Sequence, residues 1–334
     1  MDYNVKPMIH RFRQNGMNIV MDVNSGIVHV VDDVTYKVLE FYNGENRDMV
    51  LANLSSSYDE KELNEVMDDL DELIRKEVLF APMDPNYKMA IEDRPIIKAL
   101  CLNIAHDCNL RCKYCFAGQG ANSGNRVNLE VDFFGGEPLM NWHVVQQTID
   151  YVHKQEKKHH KKIKMSLTTN GMLLDKEKVK YLTDNHISLI LSLDGRKEMH
   201  DRMRPDVNGN GTYDQIVKNL QYCVAHRNGE EYYVRGTFTR YNLDFTTDVE
   251  DMLDHGFPAV SMEPVVGEDT ESYSIKEEDL PRVKEEYDRL AQLFIRREEE
   301  GRPFFFFHFN MDLWKGPCLP KRLRGCGAGH EYLA

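Results

Sequence analysis

Between residues 99 and 309, β-forming runs alternate with helical patterns, and this alternation constrains the fold more than any other feature. The spacing predicts strands at 99–105, 129–134, 163–168, 187–193, 232–239 and 259–265. Helical periodicity predicts helices near 141–157, 175–185, 213–227, 245–254 and 278–300. Strands separated by helices pair in parallel through crossovers, so the fold class is α/β. Six strands predict a partial (β/α)6 barrel with its chemistry at the strand C-terminal ends. A seventh run, 303–309 (PFFFFHF), leads toward the C-terminal cysteines, and Phe304 to Phe307 read as barrel-edge packing. One connection is too short. Only ANSGNRVN (121–128) separates the loop near Gly120 from the strand at Leu129, whereas a parallel crossover takes roughly a dozen residues or more. Either those strands pair unusually or part of the natural chain is absent; the second is the expectation.

The first 80 residues are built differently. They hold 8 Lys/Arg against 16 Asp/Glu, a net charge of −8 out of −13 for all 334 residues. Residues 17–31 form two β-rich runs around Asn24-Ser25-Gly26, a hairpin signal. A helix is predicted over 33–42, and another over 60–76, where Leu63, Val66, Met67, Leu70, Leu73 and Ile74 keep helical spacing. A small hairpin with about three helices resembles a winged helix, but the acidic charge argues against nucleic acid as its partner. Residues 81–98, with Pro82, Pro85 and Pro95, read as a linker. The predicted organisation is therefore 1–80, a linker at 81–98, a barrel at 99–309 and a further segment at 310–334. With 41% apolar and 29% charged residues the chain can bury a core. No apolar run approaches the ~18 residues of a membrane helix, and MDYNVKP lacks a signal-peptide pattern. These features predict a cytoplasmic protein that binds neither membranes nor nucleic acid.

Seven cysteines stand at 101, 108, 112, 115, 223, 318 and 326. An odd number with three crowded into eight residues points to metal binding in a reducing compartment rather than to disulfides. Cys108, Cys112 and Cys115, spaced C-x3-C-x2-C, follow the first predicted strand. Three thiolates on one loop can hold an iron–sulfur cluster with one position open; a zinc loop completed by His106 or a distant cysteine is the alternative. Cys101, within a strand, and Cys223, on an apolar helix face, read as buried core thiols. KKHHKK (157–162) reads as a solvated helix end or loop.

With Tyr114 before the last cysteine, the loop resembles the C-x3-C-x-aromatic-C signature of the radical S-adenosylmethionine (SAM) enzymes. That resemblance implies a [4Fe–4S] cluster on Cys108, Cys112 and Cys115, with SAM chelating the fourth iron and Tyr114 beside the adenine. It implies that an electron from the cluster cleaves SAM to a 5′-deoxyadenosyl radical, which abstracts a substrate hydrogen. Gly135-Gly136-Glu137-Pro138, after the second strand, looks like the family's GGEP motif, which receives the SAM ammonium. Thr169 and Asn170 in the TTNG that ends the third strand, and Ser192 and Asp194 in the SLDG that ends the fourth, are implied as further SAM contacts. Arg204 and Arg235 are each candidates to pair a carboxylate. The residues name no general acid or base.

CNLRCKYCFAGQG, LEVDFFGGEPLMNW, SLDGRKEMHDRMRP and PCLPKRLRGCGAGHEY together resemble SCIFF-type maturases of small cysteine-rich ribosomal peptides. This implies a winged-helix-like leader-peptide domain, a radical SAM barrel and the start of a SPASM-type auxiliary-cluster domain in which Cys318 and Cys326 are partial ligands. It implies thioether links from peptide cysteine sulfurs to backbone α-carbons, with a flavodoxin or ferredoxin as electron donor. Two cysteines cannot complete a cluster, and here the sequence departs from the SPASM pattern. An anaerobic sulfatase-maturase type of enzyme, oxidising one Cys or Ser, and a zinc-stabilised peptide-binding module without turnover are the competing readings.

Overall fold

The computed structural model describes residues 8–82, 99–105, 108–112, 128–310 and 332–333. These fall into two compact units, one holding 8–82 and the other 99–310 with 332–333.

The smaller unit pairs β1 (Ile9–Gln14), β2 (Met17–Asp22) and β3 (Val28–Val31) as an antiparallel sheet in the order β1-β2-β3. Helices α1 (Asp33–Val38), α2 (Arg47–Leu54) and α3 (Glu60–Arg75) complete it. The α3 positions Leu63, Met67 and Leu70, spaced for one helix face, are buried against Val20, Val38 and Val50. The predicted hairpin is β2–β3, and Asp22 fixes its turn. Fully buried, it accepts hydrogen bonds from Asn24 N (3.1 Å), Ser25 N (2.7 Å), Ser25 Oγ (2.8 Å) and Ala81 N (3.1 Å). Strand β1 escapes prediction because IHRFRQ has little apolar alternation; its pairing with β2 makes it a strand. Strand β3 has no second neighbour among the described residues and exposes Val28 (38%) and Val30 (65%) along an edge.

The larger unit is built on one eight-stranded sheet. Its strands are β4 (Ala99–Ala105), β5 (Asn128–Gly135), β6 (Lys162–Thr169), β7 (Ser188–Ser192), β8 (Tyr232–Phe238), β9 (Ala259–Pro264), β10 (Phe305–Phe306) and β11 (Tyr332–Leu333). Their order is β10-β9-β8-β7-β6-β5-β4-β11, and every pairing is parallel. The six central strands are those that the alternation predicts; two-residue strands extend both edges. The run at Phe305 yields only β10 before the chain turns into a short 3-10 helix. Helices α4 (Trp142–His159), α5 (Lys176–Asp184), α6 (Lys197–Met203), α7 (Tyr213–Ala225), α8 (Phe245–Asp254) and α9 (Leu280–Glu299) fill the connections. Helix α6 escapes prediction because KEMHDRM is short and carries no apolar stripe.

Alternation within the strands sorts their two faces. Val131, Phe133, Leu167, Leu191, Val234 and Met262 join the core beneath the helices. Their neighbours Asp132, Ser166, Ser192, Arg235 and Glu263 take the opposite face, free of α-helices among the described residues. Cys223 is fully buried, as expected. Cys101 is not a core thiol: it is only half-buried, because its parity on β4 sets it opposite Asp132 on the helix-free face. Burial, with the Asp132 charge adding to it, pushes that thiol up to about 11. Lys157 to His159 close α4 and His160 caps it in the left-handed conformation, all exposed.

Strands β4 and β5 pair in ordinary parallel register from Ala99↔Glu130 to Asn103↔Phe134, so the short connection does not reflect unusual pairing. Most of that connection lies outside the described residues. On the helix side of the pair, Leu100, Leu102, Leu129, Val131, Tyr151 and Val152 line an apolar groove of about 380 Å³. No helix among the described residues is long and apolar enough to cross a membrane.

Candidate active site

The motif residues converge at the C-terminal ends of β4 to β8. Strand β4 runs into the loop carrying Cys108 and Cys112, both half-buried. This loop is fastened to the segment after α6: Leu110 bridges Asp206, and Arg111 N donates to Pro205 O (3.0 Å). Leu110 N also points at Cys108 Sγ (3.4 Å).

Strand β5 ends in the GGEP turn. Gly135 adopts φ +117°, a region that favours glycine, and Gly136 N donates to Ala105 O (2.7 Å) at the end of β4. Glu137, 1% exposed, caps the following 3-10 turn. Its Oε1 accepts from Leu139 N (3.1 Å) and Thr169 Oγ1 (2.8 Å), and its Oε2 accepts from Asn170 N (2.8 Å). Burial pushes the carboxyl up to about 7, against the pull of those three donors. The side chain thus ties β5 to the TTNG turn after β6. Asn170 in turn donates from Nδ2 to Asn109 Oδ1 (2.8 Å) and to Cys108 Sγ (3.4 Å).

The SLDG turn after β7 holds Asp194, 1% exposed, whose Oδ1 accepts from Thr237 N (2.9 Å) and whose Oδ2 lies 2.9 Å from Arg204 Nε. Arg204 Nη1 reaches Cys112 Sγ at 3.8 Å. Ser192 lies half-buried on the helix-free face, directly opposite Arg235 on β8. Arg235 is 40% exposed with its Nε 3.9 Å from Glu263 Oε1. Glu263 accepts from Ser261 Oγ (2.7 Å) and meets His308 Nε2 at 2.9 Å, the contact that chiefly draws its carboxyl down to about 2. Tyr114, Cys115, Cys318 and Cys326 lie outside the described residues. Among the described residues no group of three or more His, Cys, Asp or Glu is placed to hold a metal.

Three supporting groups escape sequence reasoning: Arg196 and His200 lie within the SLDGRKEMHDRMRP segment, but nothing there assigns them a partner, and Thr212 lies outside it. His200 Nδ1 accepts from Asp194 N (3.2 Å), which fixes Nε2 as the protonated nitrogen, facing Thr212 Oγ1 (3.1 Å). Thr212 Oγ1 then donates to Arg204 O (2.8 Å), so one relay holds both members of the Asp194–Arg204 pair. Arg196 bonds through its backbone N and Nε to fully buried Asp248 (3.1 and 2.7 Å) and through Nη1 and Nη2 to Asp244 (2.9 and 2.8 Å). The sequence signals for this clamp are the place of Arg196 in the SLDGRKEMHDRMRP segment and the acidic Asp244 and Asp248.

The relay carries a pH dependence. Burial pushes the His200 imidazole down to about 4, with the Asp194 charge pulling the other way. A histidine that titrates near 6.5 when unfolded and near 4 when folded contributes stability fully present above pH 6.5 and lost as the pH falls toward 4. Wild type is expected to lose about 3 kcal/mol relative to H200Q over that interval, read from urea midpoints at both ends. Parallel curves for the two proteins would contradict it.

Residues 125–251 match the Radical SAM superfamily. Over those residues the chain is similar to radical SAM proteins. The radical SAM cyclopropyl synthase TigE of Paramaledivibacter caminithermalis is 24% identical over 69% of this chain and 56% of its own length. A cysteine-type anaerobic sulfatase-maturating enzyme of Clostridium novyi is 28% identical over 36% of this chain and 38% of its own. The chain therefore spans little more than half the length of the first of these relatives. A solved structure of native anSMEcpe with bound AdoMet and a Cp18Cys peptide shares the fold at a TM-score of 0.56, with 21% identity over 65% of this chain and 64% of that one.

Radical SAM proteins use a [4Fe–4S] cluster and SAM. The residues of this site fit such a group. Cys108 and Cys112 lie on one loop, and N–H groups of Leu110 and Asn170 donate to the first and of Arg204 to the second, which suits anionic thiolates.

Proposed function

We propose that this radical SAM chain is a peptide maturase that joins cysteine sulfurs to backbone α-carbons in a small cysteine-rich peptide. Cys108, Cys112 and Cys115 hold the [4Fe–4S] cluster in this reading. The GGEP, TTNG and SLDG turns, with Tyr114, Arg204 and Arg235, surround SAM. When bound, the two together supply a carbon radical that removes a hydrogen atom from the acceptor residue. The chain's own residues position and shield: Glu137 holds the turn beside SAM and Asn170 beside Cys108, while Ser192 and Arg235 present polar groups on the helix-free face.

The observation that carries the peptide reading is the smaller unit, whose edge strand β3 exposes Val28 and Val30 and has no second strand neighbour among the described residues. An extended leader adds to such an edge as a further strand, and the net charge of −8 over residues 1–80 suits a leader with positive charge. This winged-helix-like unit, the barrel after a linker at 81–98, and a SPASM-type segment from 310 in which Cys318 and Cys326 begin an auxiliary cluster make up the proposed organisation. A flavodoxin or ferredoxin supplies the electrons.

Anaerobically reconstituted protein is expected to release 5′-deoxyadenosine from SAM with dithionite, and C112A, which removes a ligand in this reading, to lose at least 99 in every 100 turnovers, no less than the roughly 10–10²-fold cost of losing an outer-shell partner. Undiminished cleavage by C112A would overturn the proposal. The sulfatase-maturating relatives favour a second reading, oxidation of one cysteine without a crosslink. Mass spectrometry of a treated cysteine-rich peptide separates the two. A thioether removes two hydrogens and blocks alkylation of that sulfur, whereas simple oxidation joins no two residues.

A further inference from the structure

We propose that Arg204 sets the reduction potential of the iron–sulfur centre through Cys112, and that the negative charge of its ion-pair partner Asp194 offsets part of that effect. The inference rests on the reading of Cys108 and Cys112 as cluster ligands. Arg204 is 10% exposed, with its Nη1 3.8 Å from Cys112 Sγ and its Nε 2.9 Å from Asp194 Oδ2. A guanidinium fork is always charged, so the ion pair places a positive group at Cys112 with its counter-charge on the far side.

The surroundings leave this fork little freedom. Asp194 is held by Thr237 N at Oδ1 and by His200 at its own N–H. The Arg204 backbone is held at both ends, its N by His200 O (2.8 Å) and its O by Thr212 Oγ1 (2.8 Å). The next residue, Pro205, accepts from Arg111 N, beside Cys112. The arginine and the cysteine it faces therefore move as one piece. A buried ion pair contributes little net stability, so its placement against a ligand sulfur is better explained by what its charge does there. A positive group donating to a thiolate withdraws charge from the sulfur, favouring the reduced cluster and raising its potential. Cys108 Sγ receives the neutral donors Leu110 N and Asn170 Nδ2, both at 3.4 Å, whereas the donor at Cys112 Sγ carries a charge.

The test is potentiometry of the reconstituted full chain without SAM, followed by electron paramagnetic resonance, with iron and sulfide assayed on each protein. In R204M the equilibrium constant for one-electron reduction is expected to fall about tenfold, a downward shift of ~59 mV. R204K keeps the charge and restores most of the shift. D194N removes a negative charge from the pair and is expected to move the potential upward. Opposite signs for R204M and D194N support the inference, and if R204M fails to assemble a cluster, R204K and D194N carry the comparison. Unchanged potentials, or shifts of the same sign in R204M and D194N, overturn it. A loss of SAM affinity with the potential unmoved also overturns it, leaving Arg204 its place beside SAM alone. Wild type that binds no cluster would instead bring down the radical SAM reading on which the inference stands.

Discussion

G195A is expected to destabilise the larger unit by about 4 kcal/mol, from roughly 1–2 for a left-handed alanine and 1–3 for overpacking. Gly195 sits at φ +87°, and a Cβ there would lie 2.2 Å from Asp248 Cβ and 2.7 Å from Asp248 Cα. Backbone cannot swing aside as a flexible side chain can, so the new methyl must displace α8 or the SLDG turn. Either movement breaks the fully buried Asp248 away from Arg196 and Asn242, which donates to it at 2.9 Å. Gly209, at φ +85° with nothing within 4 Å, is the control; there alanine meets the backbone preference alone, about 1 kcal/mol. Urea midpoints of the two variants decide the matter, and equal losses would show that the Asp248 contact does not limit position 195.

E137A is expected to cost about 3 kcal/mol or more and to lower SAM cleavage at least tenfold, because buried donors left without an acceptor cost roughly 1–3 kcal/mol each. The substitution strips Leu139 N, Thr169 Oγ1 and Asn170 N of their shared acceptor. Asn170 is the donor to Cys108, so the damage reaches the cysteine loop. E137Q falls between: its oxygen can serve Leu139 and Thr169, but its NH2 then faces the Asn170 N–H. Denaturation midpoints and 5′-deoxyadenosine release, measured on the same preparations, check both parts. An E137A protein of wild-type stability would show that the three donors find other acceptors.

The sequence by itself determined the alternation that makes a parallel sheet with helices on one face, because the period of apolar residues decides which side of a strand or helix can be buried. It also determined the positions of the cysteine loop and of the GGEP, TTNG and SLDG turns, since glycines with positive φ and short polar runs leave few other conformations. Tertiary structure alone decided what those side chains do. Glu137, read from its motif as a cofactor contact, is in addition the knot between β5 and the turn after β6. Asp194 turns toward Arg204, a partner ten residues on, because α6 folds the chain back over the SLDG turn. His200 and Asp248 gained their roles from groups distant in sequence, and no local pattern encodes such a meeting. Cys101 likewise left the core for the helix-free face through strand parity counted from neighbours that pack. Local periodicity fixes which elements form, while the partner of a buried polar group is set by which elements meet, and that is known only once the chain has folded.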